Sequence, residues 1–198
     1  MVATLVVTAL AVALGQSWGR DDQRAATAPA PRAVTPTASV VLNGTDDAFI
    51  QLLIPMNEGA LALIDHLDTR PAGTDPSLRD LLGEIREAHQ AELRDLRGLL
   101  AAGNVPESNI HEGHQMPGMV TDVGLAQVRD APDAEVPSRA TALIRAHLAQ
   151  TVVLCRGERN AGGSPELKAL AGRIEQARAA ELASLDSRPA TAKAAPAR

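Results

Sequence analysis

An internal repeat constrains the fold of this chain more than any other feature of its sequence. Residues 76–96 align without a gap on residues 165–185, and about half of the aligned positions are identical. The identities extend beyond leucine: Pro76 with Pro165, Gly83 with Gly172, Ile85 with Ile174, and Glu92 with Glu181. Two unrelated amphipathic helices would match mainly at leucine, so we interpret the segments as copies of one duplicated unit.

Each copy is predicted to be a helical hairpin, because apolar residues recur at steps of three and four. The first helix should begin at a cap formed by Asp46 or Asp47, kink at Pro55 and end near Leu67. The other three helices are expected at about 75–100, 138–155 and 164–185. A single hairpin cannot bury its own apolar stripe, so the two are predicted to pack into an all-α, antiparallel four-helix bundle.

The rest of the chain divides into segments around this bundle. Residues 2–14 carry no charge, and the apolar run extends to Trp18, about the minimum length for a bilayer span. We predict an N-terminal transmembrane anchor or uncleaved signal, a flexible Ala/Thr/Pro linker, the bundle and a disordered tail: 1–19, 20–44, 45–186 and 187–198. Within the bundle, a crossover at about 101–137 connects hairpins at about 46–100 and 138–185.

Two orientations are compatible with the N-terminal segment. Arg20 and Arg24 follow the apolar run and no basic residue precedes it, which by the positive-inside rule places the following domain in the cytoplasm. A start codon assigned downstream of the true one would remove that argument. We expect a domain at the cell membrane that faces outside the cytoplasm, or a secreted protein if the segment is cleaved. A cytoplasm-facing anchored protein is the alternative.

Composition excludes several classes of function. Trp18 and Phe49 are the only aromatic residues and the net charge is -5, so neither a stacking platform nor a phosphate-binding surface for nucleic acid is present. Cys155 is the only cysteine, which excludes an intramolecular disulfide, a zinc ribbon and a CxxC redox site. We expect Cys155 to be a small buried hydrophobic residue.

Five polar side chains fall on the predicted core faces. His89 and Glu92 continue the apolar stripe of the second helix, Arg178 and Glu181 repeat them in the fourth, and His147 lies on the third. A buried carboxylate needs a partner, so these groups either pair with one another, bind a metal or a proton, or reach water. We favour an ion-pair layer, for instance Glu92 with Arg178 and Glu181 with His89, because an arginine competes with a metal cation. The alternative is a metal or proton site that uses the histidines and glutamates of this set.

The crossover contains a second candidate metal site. His111, His114, Met116 and Met119 lie within nine residues of sequence. Thioether sulfur favours Cu(I) and imidazole also accepts Cu(II), so the combination predicts copper. The alternative is that the histidines are solvated and the methionines cover a face of the bundle. Thr121 follows as a predicted cap for a short helix that extends to Val128.

Short motifs along the chain carry a family resemblance. They are Ile54-Pro-Met-Asn-Glu-Gly-Ala60, Ile144-Arg-Ala-His147, His89-x-x-Glu92, Arg178-x-x-Glu181 and Met116-Pro-Gly-Met119. In these motifs, over about residues 46–185, the chain resembles the bacterial ferritin-like domain of unknown function 305. That family has Met-Ile-x-His-His-Glu-Gly-Ala in its odd helices and Gln-x-x-Glu-Ile-x-x-Met in its even helices, and its members are often anchored or secreted.

The resemblance implies a ferritin-like bundle and extends to this chain the copper binding that is associated with some family members outside the cytoplasm. The chain departs from the family at ligand positions: Met56 and Asn57 replace the first histidine pair, and His147 alone remains of the second. Both methionines of the even-helix motif are also replaced. These departures indicate a degenerate member whose bundle ligands are mostly absent.

Two functions follow from the sequence. The first is a membrane-anchored, extracytoplasmic bundle that binds copper or another transition metal through the crossover residues, with weaker candidates in the core: His147, His89, Glu92 and Glu181. The second is a metal-free structural or interaction module with an unidentified protein partner. No nucleophile-base pair, phosphate-binding loop or cofactor motif is visible, so we expect no enzymatic activity.

Overall fold

The chain folds into α-helices in a computed structural model that describes residues 39–70, 75–109, 111, 113–114 and 116–188. These ranges contain α1 Gly44–Thr69, α2 Pro76–Ala102, α3 Asp122–Arg129, α4 Val136–Ala161 and α5 Pro165–Asp186. They contain no strand, so the predicted all-α fold is confirmed. The predictions for the N-terminal anchor, for the linker up to residue 38 and for residues 189–198 lie outside the described residues.

The cap of α1 differs from the prediction. Asn43 Oδ1 accepts hydrogen bonds from the backbone N–H of Thr45 at 2.8 Å and of Asp46 at 2.9 Å. The Asp46 carboxylate in turn accepts from the Asn43 N–H at 2.6 Å, which completes a capping box. The prediction of Asp46 or Asp47 as the cap is therefore wrong. The helix then continues through Pro55 as one element.

α2 and α5 begin at the residues expected from the sequence, and each has a side-chain cap. Asp75 accepts from the Leu78 N–H at 2.9 Å, and Ser164 Oγ accepts from the Leu167 N–H at 3.2 Å. A proline follows each cap at the first helical position, where its missing N–H costs nothing. α4 is longer than expected at both ends, because it runs from Val136 to Ala161 instead of about 138–155.

The four long helices form a ring in which neighbours are antiparallel. α1 and α5 each pack against both α2 and α4. Asn43 Nδ2 donates to the Ala161 carbonyl at 3.4 Å, which places the start of α1 beside the end of α4. Leu67, Pro137 and Leu185 line one apolar space, so the ends of α1 and α5 lie beside the start of α4. The crossover therefore returns along the length of the bundle, and its helix α3 packs on α1 and α4.

A polar layer divides the apolar core into two clusters. One cluster surrounds the end of α1 and contains Leu63, Leu82, Ile144 and Leu185. The other surrounds the start of α1 and contains Leu53, Leu96, Cys155 and Ile174. Cys155 is fully buried, as predicted. Buried polar residues from all four long helices lie where the two clusters meet.

The crossover packs tightly against the bundle at the level of the polar layer. A Cβ added to Gly59 of α1 would overlap the carbonyl oxygen of Val120. Gly118 has a φ of 73°, and a Cβ there would lie 2.7 Å from the carbonyl oxygen of Ala146 in α4. Both glycines are therefore required for this close approach.

α1 is long and apolar enough to cross a membrane by length and composition. However, 61% of its most apolar window is buried in the bundle, and a core helix of this kind passes the same test. Because the anchor was predicted at residues 1–19, this helix does not bear on that prediction.

Candidate functional site

Side chains from all four long helices form the polar layer. Asn57 comes from α1, His89 and Glu92 from α2, His147 from α4 and Arg178 from α5. Glu92 is 8% exposed and the other four are 0% exposed. The inward orientation predicted for the last four is therefore confirmed. We refer to these five residues together with Glu181 as the polar layer.

Arg178 and Glu92 form the central ion pair of the layer. Arg178 Nη2 lies 2.5 Å from Glu92 Oε1. The second oxygen of the same carboxylate accepts from Asn57 Nδ2 at 3.0 Å. Hydrogen bonds to a charged group in a buried site are stronger than neutral ones, so this contact ties α2 to both α1 and α5. The predicted pairing of Glu92 with Arg178 is confirmed.

The two histidines extend the hydrogen-bond chain from Arg178 into α4. Arg178 Nη1 lies 2.7 Å from His89 Nδ1 and 3.2 Å from His89 Nε2, and His89 Nε2 lies 2.7 Å from His147 Nε2. A guanidinium only donates, so a ring nitrogen of His89 accepts from Arg178. One of the two facing Nε2 atoms carries the proton of the hydrogen bond between the histidines.

Both imidazoles are held neutral. Burial, with a smaller contribution from the Arg178 charge, lowers the pKa of His147 to about 3. Burial is also the largest cause that lowers the pKa of His89 well below its ordinary value, followed by Arg178 and His147. A proton added to either ring would place a second cation beside a fully buried arginine.

Glu181 closes the layer on the side of α5. Its Oε2 lies 3.2 Å from Arg178 Nη1, so the predicted pairing of Glu181 with His89 is wrong. The cause is local, because three residues on one helix bring Arg178 and Glu181 to the same face. Burial raises the pKa of Glu181 to about 7 against the opposing effect of Arg178. Burial likewise raises the pKa of Glu92.

The layer does not present a set of free ligands for a metal. Among the residues that the structure describes, no group of three or more His, Cys, Asp or Glu side chains is placed to hold a metal ion. The weaker metal candidates His89, Glu92, His147 and Glu181 do come together, but they do so around the Arg178 guanidinium.

The crossover candidates lie in two consecutive turns. The His114 N–H donates to the His111 carbonyl at 3.0 Å, and the Met119 N–H donates to the Met116 carbonyl at 3.1 Å. Gly113 and Gly118 occupy the third position of these turns with φ values of 75° and 73°. Such a turn brings its first and fourth residues close together, so each pair of candidate ligands shares one turn.

Asn57 is the member of the layer that the sequence reasoning did not include. The predicted stripe of α1 runs through Met56 and Ala60 and passes over it. The repeat contains the missing signal, because alignment of the two hairpins places Asn57 at the position of His147.

Comparison with known proteins places this fold in a family. No curated protein matches the chain. A solved structure that does match is described as "Crystal structure of DUF305 fragment from Deinococcus radiodurans", with 17% identity, a TM-score of 0.64, and coverage of 74% of this chain and 95% of that one. At this identity the similarity concerns the fold alone. The family model of DUF305, a domain of unknown function, matches residues 75–188, which is more than half of the chain. The chain therefore belongs to the DUF305 family.

Proposed function

We propose that this protein is a non-catalytic interaction module with a metal-free core, held at the outer face of the cell membrane by its N-terminal segment. The observation that carries the proposal is the position of Arg178, which is fully buried at the centre of the polar layer. Metal sites of helical bundles are built from inward-pointing side chains on facing helices, and here a permanent cation occupies that position.

The hydrogen bonds of the layer support a metal-free core. A metal ligand must offer a lone pair, and the histidine nitrogens that face the layer are already engaged, those of His89 with Arg178 and Nε2 of His147 with His89. Glu92 is engaged through both oxygens. A metal cation would have to break these contacts and also lie close to the Arg178 charge in a region of low dielectric.

The properties of the single thiol support a non-catalytic protein. Cys155 is 0% exposed, and burial raises its pKa to about 12. The thiolate, which is the nucleophilic form, is therefore scarce at neutral pH and shielded from substrates.

Copper capture by the crossover is the second candidate function. Two turns favour it, because one brings the imidazoles of His111 and His114 together in sequence and the other does the same for the thioethers of Met116 and Met119. In addition, Nε2 of His111 is buried and has no hydrogen-bond partner among the residues that the structure describes. Imidazole and thioether donors of this kind match the preference of copper.

Titration calorimetry with Cu(I) and Cu(II) separates the two functions. The variants are His111→Ala/His114→Ala/Met116→Ala/Met119→Ala in the crossover and His66→Ala as a matched control. The proposal predicts no site in the wild type with a Kd below the order of 10 μM.

Each positive result has a distinct meaning. Binding that the crossover variant loses and His66→Ala keeps would establish copper capture by the crossover and refute the prediction that the wild type has no copper site. Binding that the crossover variant keeps and His147→Gln loses would place the metal in the polar layer, and would refute the assignment of Arg178 as the cation of that layer.

A further inference from the structure

The two hairpins meet at a second buried polar site, located between the start of α1 and the turn that joins α4 to α5. Asp46 is 0% exposed there, although it lies in the first turn of a helix. Its carboxylate accepts from the backbone N–H of Gly163 at 2.8 Å and of Ser164 at 3.1 Å, besides that of Asn43. One side chain of the first hairpin therefore binds the free N–H groups at the start of α5.

Glu158, in the last turn of α4, lies at the same site. It is 1% exposed, and neither of its carboxylate oxygens has a hydrogen-bond donor in the described part of the chain. Gly162 leaves room for the side chain, because a Cβ at that position would overlap the Glu158 carboxyl group. The polar layer does not involve this residue.

An ionised Glu158 is unfavourable at this position for two reasons. A buried carboxylate without a donor loses its hydration without compensation, and the neighbouring Asp46 repels a second negative charge. Asp46 already has backbone donors, whereas among the groups that act on Glu158 only Lys168 of α5 is positive. Protonation of Glu158 removes this penalty, because the neutral acid has an O–H group that can donate to the neighbouring Asp46 carboxylate.

We propose that Glu158 and Asp46 share one proton and that this carboxylic acid–carboxylate hydrogen bond is a pH-sensitive clamp between the two hairpins. In the closed state, the proton on Glu158 joins the end of α4 to the first turn of α1. When the proton is released to solvent, the two carboxylates repel each other across the joint, and this end of the bundle loosens.

The pKa shifts of the two carboxyl groups agree with this geometry. Burial, followed by the hydrogen bond and charge of Asp46, raises the pKa of Glu158 from 4.5 to about 7. The pKa of Asp46 is lowered, because its backbone hydrogen bonds and the one from Glu158 together outweigh its burial. Because the pKa of Glu158 is raised in the folded state, its contribution to the free energy of unfolding is fully present below pH 4.5 and is lost as the pH rises towards about 7.

The test compares the full chain with its Glu158→Gln variant in urea denaturation between about pH 5 and about pH 8. Glutamine has the same shape, donates a hydrogen bond to Asp46 and cannot ionise. The equilibrium constant for unfolding of the wild type should rise by up to about tenfold per pH unit, relative to the variant, between pH 4.5 and about 7. Glu181→Gln is the matched control, because it removes the other glutamate with a pKa of about 7 and leaves the clamp intact.

A constant ratio of the wild-type and Glu158→Gln unfolding constants over this pH range would overturn the proposal. If Glu158→Gln does not fold, carbon-13 NMR of side-chain carboxyl groups in the full-length Glu181→Gln chain replaces it. One glutamate should then titrate near pH 7. Titration of every glutamate below about pH 5.5 would exclude a shared proton.

Discussion

Replacement of Arg178 by leucine tests the architecture of the polar layer most directly. The substitution keeps an apolar side chain in the core but leaves Glu92 buried with only Asn57 as a donor. It also removes the donor to His89. Loss of one partner of a buried ion pair typically costs about 3–5 kcal/mol of the free energy of unfolding. We expect a loss in that range, which lowers the folding equilibrium constant roughly a hundredfold to several thousandfold.

Urea denaturation followed by circular dichroism measures this loss, with two reference variants. Arg139→Leu removes a cation from an exposed ion pair within one helix, with side chains 46% and 51% exposed, and should cost only about 0.3–0.5 kcal/mol. Arg178→Leu/Glu92→Leu removes both charges of the buried pair and should recover most of the loss. The remaining Glu181 can stay protonated, since its pKa is about 7.

Two results would refute the reasoning. If Arg178→Leu is no less stable than Arg139→Leu, the buried pair does not stabilise the bundle. If the double variant is as unstable as Arg178→Leu alone, the loss comes from the shape of the arginine side chain and not from an uncompensated carboxylate.

Two further predictions concern the crossover and the histidines. Gly118→Ala should lower the free energy of unfolding by roughly 1–3 kcal/mol in urea denaturation, because φ is 73° and a Cβ would lie 2.5 Å from Gln150 Cβ. The control Gly98→Ala should be neutral or stabilising, because Gly98 lies in α2 with open space around it. The ring resonances of His147 should stay constant from about pH 8 to about pH 5 in NMR, since its pKa is about 3. This lowered pKa contributes stability that is present above pH 6.5 and is lost as the pH falls. A titration midpoint of His147 above about pH 6 would contradict the buried, neutral imidazole in the hydrogen-bond chain.

The four long helices could be predicted from the sequence because their signals are local. Asp75-Pro76 and Ser164-Pro165 place a capping side chain and a proline in adjacent positions, and the structure begins α2 and α5 there. The stripe of three- and four-residue steps likewise placed Arg178 in the core, where it is 0% exposed.

The errors have long-range causes. The start of α1 was misplaced because Asp46 has the right chemistry for a cap but is used by the N–H groups of Gly163 and Ser164, distant in sequence. The end of α4 was placed too early, at Cys155, because the following residues are polar. Glu158 lies three residues further along the same face, and it is buried beside Asp46, which is distant in sequence.

The polar layer also makes the two duplicated hairpins inequivalent, because they contribute different charged residues to it. The repeat pairs Glu92 with Glu181, and His89 with Arg178. Each hairpin thus retains a core glutamate, but the only buried cation of the layer among the described residues comes from the second hairpin, and it contacts both carboxylates. The glutamate of the first hairpin therefore depends on the second for its charge partner. The two copies have therefore diverged unequally, and the charge partner of both core glutamates is supplied by the second copy alone.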